Sequence, residues 1–269
     1  MIYNLQKASL TKRFSAFLFD FMMLIVVFLA CALAMSAILG YSNHTQEKDR
    51  IQGEIIERHG IDALEEKYID REDVDFSRYE FMTDEEKAAL PEDVQVAFKA
   101  CTDEINGNED LARILGTMVI LFVTIFSVSL LMSFIILEFI VPLLLKNGQT
   151  LGKKIFSLAV CSVDCVKVSP FVLFVRSILG KYTICTMAPL LTLPLLYTPM
   201  TLVPIFVVLL VLLLHVVFYF TSGTGALIHD KMAATAVVDM QTQMIFNSAE
   251  EKEQYQLRIH REEVEKADY

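Results

Sequence analysis

Long uninterrupted apolar runs alternate with charged stretches along this chain. The first run extends from Phe14 to Gly40, and nineteen of its residues, Phe21 to Leu39, pass without a charge. At about 1.5 Å per residue that is enough to cross the hydrocarbon of a bilayer. Three further runs, at about 114–145, 182–197 and 201–221, have the same character. The pattern therefore predicts an all-α integral membrane protein with four transmembrane helices. The second run is long for about 30 Å of hydrocarbon, so it should tilt or project beyond it. Pro189, Pro194 and Pro204 predict irregular third and fourth spans, with the turn between them at Tyr197-Thr198-Pro199-Met200.

The polar stretches carry their own signals. In 41–113, Ile51, Ile55 and Ile56 recur at helical spacing among charges. Thr83-Asp84-Glu85-Glu86 is a capping-box pattern, and Pro91 suits the start of a helix through Val94, Phe98 and Cys101 that breaks at Gly107. This stretch reads as a helical acidic insert. It is either a sensor or partner-binding unit or a solvated loop, and its thin apolar faces favour the loop. After the second span, residues 155–163 and 166–168 alternate, with Asp164 and Cys165 at a turn, which predicts a small interfacial β-hairpin. Pro170 then starts an amphipathic helix through Leu173, Val175, Arg176 and Leu179, expected to lie in the interface. The chain thus divides into 1–40 (N-terminus and first span), 41–113 (acidic insert), 114–239 (membrane core) and 240–269 (a charged, solvated tail).

Composition sharpens this picture. Hydrophobic residues make up 54% of the chain, and the net charge is −10. That charge is unevenly spread: 41–113 holds 21 acids against 9 bases, a net of −12, so the remainder is +2. No clustered basic face points to nucleic acid. The five cysteines have neither disulfide-framework nor zinc-like spacing and read as small apolar fillers, so no cofactor or metal is expected. Lys7, Lys12 and Arg13 before the first run suggest a signal peptide, but the run is far longer than a typical h-region of roughly 7–15 residues, so a retained span is expected. Lys and Arg also gather in 146–181, which sets both termini inside the cell and the acidic insert outside.

The candidate chemistry is carried by charges in or beside the spans. Arg13 and Asp20 are two helical turns apart, on one face. A carboxylate deep in the membrane costs roughly 2.5–3.5 kcal/mol, so it must be interfacial, protonated or offset. Two readings stay open: an interfacial Asp–Arg pair that anchors the helix, or a buried polar site that other segments complete. Glu138 reads as interfacial, within two turns of Lys146. His215, late in the last span, reads as a packed side chain more readily than a proton relay. Gly148-Gln149-Thr150-Leu151-Gly152-Lys153-Lys154 is not a phosphate-binding loop, since three residues rather than four separate the glycines and Lys-Lys follows.

Taken in order, these residues resemble the RDD family of bacterial membrane proteins, named for one arginine and two aspartates. The naming residues fall on Arg13, Asp20 and Asp230, the last within His229-Asp230-Lys231-Met232-Ala233-Ala234-Thr235. The 148–154 stretch resembles the family's Gly-x-Thr-x-Gly-Lys-Lys element, and Arg176 matches a downstream basic position. Leu151 departs from a common Pro, and Cys165 from a common turn Gly. The resemblance covers 12–40 and about 114–240. It implies a polar or ion site of Arg13, Asp20 and Asp230, supported by His229, Lys231, Gly148, Thr150, Gly152, Lys153 and Arg176. It also implies location in the bacterial cell membrane and, for some members, exchange of a monovalent cation for a proton.

Two functions fit these residues. One is a cation/proton exchanger that uses membrane carboxylates, which with four spans would need a homo-oligomer to build a path. The other is a non-transporting scaffold, sensor or assembly subunit in which Arg13, Asp20 and Asp230 form a structural clamp. No nucleophile–base pair or metal cluster points to an enzyme. On this topology, impermeant labels should reach cysteines placed at Ser42 and Asn106 from outside intact cells, and a tag after Tyr269 only from inside. Labelling of the insert from the cytoplasm alone would refute the four-span arrangement.

Overall fold

Helix dominates because the apolar runs must satisfy their backbone polar groups internally wherever lipid replaces water. The computed structural model describes residues 4–68, 82–145, 147–193, 200 and 202–267. Four of its helices are long and apolar enough to span a membrane: α1 (Leu10–Ile38), α6 (Glu109–Leu145), α8 (Pro170–Thr192) and α9 (Leu202–Thr221). Their large apolar side chains, such as Phe17, Val26 and Leu33 on α1 and Phe206, Leu213 and Phe220 on α9, are largely exposed, as a lipid-facing surface requires. The expected turn at 197–200 falls mostly outside the described residues, as do Lys146 and Pro194. The chain divides into two compact units, Ala32–Val128 and the remainder.

Within Ala32–Val128, the described residues of the acidic stretch form α2 (Tyr41–Arg58), α3 (Ile61–Tyr68), α4 (Asp84–Ala88) and α5 (Glu92–Gly107). The Thr83–Glu86 capping box forms and starts α4. The Asn108 side chain accepts from Leu111 N–H at 2.9 Å and restarts the helix as α6. The expectation of a solvated loop is corrected here. Ile55, Ile61, Val94, Phe98, Cys101 and Leu111 form a buried core, with Ile51, Leu64 and Ile105 packed against it. Val94, Phe98, Cys101 and Ile105 come from α5, while α2, α3 and the start of α6 add a few each, and these thin faces suffice because they meet one another.

In the other unit the β-hairpin is also corrected. β1 (Leu158–Ser162) pairs antiparallel with β2 (Thr235–Asp239), in register Leu158 with Asp239 and Ser162 with Thr235. The 162–166 segment is a tight turn in which Cys165, at φ 60°, supplies the left-handed residue; of the segment after it, the bridge Cys161–Lys167 is what remains of the hairpin. The extended N-terminus joins β2, with Ala8 N–H donating to Val237 O at 3.1 Å. Leu158 and Val160 pack with Ala8, Ala16 and Val237 on one face, and Ala159 and Cys161 with Ala236 and Val238 on the other. Between α6 and β1 lies a five-residue helix, α7 (Leu151–Ile155), and between α9 and β2 another, α10 (Ile228–Met232). The tail forms α11 (Ala249–Ala267).

A further correction concerns the third span. The amphipathic helix expected from Pro170 and the apolar run after it are one continuous helix, α8. Arg176, the charge in that amphipathic stretch, is paired with Asp230 from another element, and Lys181 with Glu138, so neither need reach water. Residues Val175–Met187 of α8 and Ile135–Ile140 of α6 have the wider π-helical hydrogen bonding. Such stretches are uncommon and usually short, and they re-aim side chains.

Two glycines permit backbone contacts that no side chain would. A Cβ at Gly152 would lie 2.3 Å from the Ala16 carbonyl oxygen, and one at Gly180 would lie 2.6 Å from His229 Cβ. These contacts press α7 onto α1 and α10 onto α8. Gly152→Ala and Gly180→Ala should each destabilise the solubilised protein by about 2–3 kcal/mol, the upper part of the overpacking range. Gly116→Ala, in open space on α6, should be neutral or stabilising. Thermal melts in detergent check this, and equal effects at the three positions would refute it.

Candidate functional site

The candidate site is a chain of buried charges at one end of the spans. Its members follow from topology. Arg13 opens α1, Arg176 lies in the first two turns of α8, and Asp230 follows the end of α9, so successive crossings return all three to the same side.

Asp230 is the centre, 1% exposed. Arg176 donates to its Oδ1 through Nε at 2.8 Å and lies 2.7 Å away through a terminal nitrogen. Thr235 Oγ1 donates to the same oxygen at 3.3 Å, and Leu227 N–H donates to Oδ2 at 3.3 Å. Arg13 stands 3.6 Å from Oδ2 with its guanidinium over the Tyr219 ring. Burial alone would raise the Asp230 pKa, but Arg176 and Arg13 outweigh it and hold the carboxyl well below its ordinary range. His229 is buried beside it, with Nε2 3.7 Å from Asp230 Oδ2. There burial, opposed by Asp230, pushes the imidazole pKa well down and keeps it neutral.

Asp20 occupies a separate cradle. Thr150 Oγ1 donates to its Oδ2 at 2.5 Å and Gly152 N–H to its Oδ1 at 2.7 Å. Lys153 Nζ donates to Thr150 Oγ1 at 3.0 Å and stands 3.7 Å from Asp20. Thr150 is at the same time the N-cap of α7, accepting from Lys153 N–H. The Gly-x-Thr-x-Gly-Lys pattern thus acquires a local reason. Gly148, at φ 60°, turns the chain beneath Val160. Thr150 caps the short helix, Gly152 admits the α1 backbone, and Lys153 balances the acid. Burial drives the Lys153 ammonium down to about 8, helped by Lys181 and Arg176 and opposed by Glu138 and Asp20.

Several expectations change. Among the described residues Arg13 pairs with Asp230, not with Asp20, so the anchoring Arg13–Asp20 pair is not formed. Lys231 is exposed and takes no part. Glu138 is not at an open interface: its side chain is 11% exposed and binds Lys181 Nζ at 2.6 Å. Ser177 Oγ also donates to the Glu138 carbonyl at 2.6 Å, tying α8 to α6. Sequence reasoning missed Lys181, and also Lys12, which binds Asp239 at 2.6 Å; nothing local in the sequence marks either as paired. A cavity of about 10 Å³, at the lower limit for one water, lies between Asp20, Glu138 and the apolar side chains of Met23, Leu24, Leu137 and Leu151.

A family model described as the RDD family matches residues 94–234. Arg176 and Asp230 lie inside the match. Arg13 and Asp20 precede it, and it extends into the acidic stretch through residues 94–113. No curated protein and no solved structure matches the chain.

The Lys153 environment predicts an unusual pH dependence. Its folded pKa is about 8, and an unfolded lysine titrates near about 10.4. Between these values the unfolded chain binds more protons, so stability should rise with pH across that window. Lys153→Met should remove that rise. Melting temperatures of wild type and variant measured from pH 7 to 10 check it, and a constant difference between the two would refute it.

Proposed function

Since the chain belongs to the RDD family of membrane proteins, we propose that it is a non-transporting membrane module, a scaffold or sensor subunit whose buried charges form a structural clamp. The observation that carries this reading is the saturation of both naming aspartates by fixed partners. Asp230 is held by two arginines, a hydroxyl and a backbone N–H. Asp20 is held by a hydroxyl, a backbone N–H and a lysine. An exchanging carboxylate must release one cation and take another, whereas these cations are tethered side chains. The cavity beside Asp20 has room for about one water, which is no path for a hydrated ion. On this reading the helical unit of 41–113, with its own core and net negative charge, is the part that meets a partner, and a basic surface is its natural complement.

A second reading, exchange of a proton for a monovalent cation, is supported by Lys153. Its ammonium titrates near neutrality beside Asp20 and Glu138, so a proton there is movable.

Purified protein in proteoliposomes separates the two. The clamp predicts no cation-coupled proton flux. It also predicts that Arg176→Ala costs about 3–5 kcal/mol of stability, because the Asp230 charge loses its closest partner. Flux that Asp20→Asn or Lys153→Met abolishes, with melting temperature unchanged, would overturn the clamp and support exchange.

A further inference from the structure

Beyond the clamp, three side chains that it does not use come together from three different elements. Cys185 lies on α8, His215 on α9 and His229 on α10. One ring nitrogen of each histidine and the Cys185 sulfur lie within 4.8 Å of one another. Cys185 Sγ and His215 Nε2 are 3.7 Å apart. Metal–sulfur and metal–nitrogen bonds of about 2.3 and 2.0 Å, meeting at a trigonal or tetrahedral angle, place S and N about 3.6 Å apart. The spacing is thus already that of two ligands on one ion.

The hydrogen-bonding partners also fit. His215 Nδ1 is 2.8 Å from the Val211 carbonyl oxygen. A carbonyl only accepts, so Nδ1 carries the proton and Nε2 presents a lone pair toward Cys185. His229 has its Nε2 against Asp230 Oδ2 at 3.7 Å. That is beyond hydrogen-bond distance, so the carboxylate acts on the ring through its charge, which favours a cation held there. Its other nitrogen, Nδ1, is buried without a hydrogen-bond partner, and the residue is only 8% exposed. A buried unpaired ring nitrogen carries a desolvation cost that a bound cation would relieve. Gly180, pressed against His229 Cβ, fixes the backbone that carries this ring.

We propose that Cys185, His215 and His229 form a three-coordinate site for a thiophilic d10 cation, taking Cu+ in preference to Zn2+. Thiolate with imidazole is a soft to borderline donor set. Charge decides between the two ions. Cu+ with one thiolate is neutral, whereas Zn2+ would leave an extra positive charge on a site that shares α8 with Arg176 and Lys181, where low dielectric makes unbalanced charge costly. An ion held here would join α8, α9 and α10 at the helix that carries Asp230, and so would stiffen the clamp. The site stands independently of whether the module transports.

The test uses the full-length protein in detergent, stripped with chelator and kept anaerobic. It is equilibrated with Cu+ against a competing chromophoric chelator, and separately with Zn2+. Wild type should bind one Cu+ per chain and melt at a higher temperature when loaded. Loss of a second-shell partner typically weakens metal binding by about 10–100-fold, so loss of a ligand in Cys185→Ser or His215→Gln should exceed that. Cys31→Ala, outside the cluster, should bind as wild type does. The metal-free melting temperature of Cys185→Ser should match wild type, since serine can still hydrogen-bond His215 Nε2, which separates loss of the site from loss of the fold. Absence of stoichiometric binding, Cu+ binding that survives both ligand substitutions (an adventitious ion only), or binding of Zn2+ without Cu+ would each overturn the proposal.

Discussion

A carboxylate with almost no exposure must keep its charge company, and the core of this protein is arranged around that requirement at Asp230. Arg176 comes from α8, Arg13 from α1, Thr235 from the start of β2, and the carboxylate itself from the short helix after α9. Four segments, spread along the chain from Arg13 to Thr235, therefore share one charge balance. Losing a partner from such a group is more costly than never having buried it, because the remaining charge stays in low dielectric. That asymmetry makes the cluster a lock: it adds little net stability as a whole, yet it penalises any arrangement in which one segment is misplaced.

The same logic is repeated on a smaller scale around it. Asp20 completes the N-terminus of α7 through Thr150 and Gly152, and Glu138 on α6 holds Lys181 on α8. Each acid in these two pairs is matched by a base from a different element. The close approaches at Gly152 and Gly180 bring backbones near enough for such short side-chain bonds to form. Packing and electrostatics are thereby coupled: a methyl group at either glycine would separate the charges as well as the helices. The Cys185–His215–His229 cluster shares α8 and α10 with this lock, so occupancy there bears on it directly.

The acidic unit follows a different principle. Its core is built from ordinary apolar burial among short helices, with Phe98 and Ile55 almost fully enclosed. Its charges are mostly exposed and include local pairs such as Arg50 with Glu47 and Glu54, which contribute little to stability. Excess negative charge on such a surface bears on solubility rather than on the fold.

What the sequence determined by itself is whatever depends on neighbours within about twenty residues. Four apolar runs yield four membrane-crossing helices, because hydropathy and helix rise are local quantities. The Thr83 box and the break at Gly107 were legible for the same reason. The resemblance to a family also placed Arg13, Asp20, Asp230, Thr150, Gly152, Lys153 and Arg176 in one polar system, without saying which pairs with which. Tertiary structure alone decided those pairings. Arg13 passes over Asp20, its neighbour on the same helix face, to stand against Asp230, while Thr235–Asp239, rather than the adjacent 166–168, becomes the partner of β1. It also decided that the amphipathic stretch from Pro170 is part of a span, since Arg176 reads as interfacial until its distant acid is in place. The thin faces of 41–113 read as a loop for a related reason: no single helix there carries enough apolar surface, and only their assembly does. Spans are set by the free energy of individual segments in lipid, whereas charge pairing, strand partners and shared cores are set by which segments meet, and that is not written in any one of them.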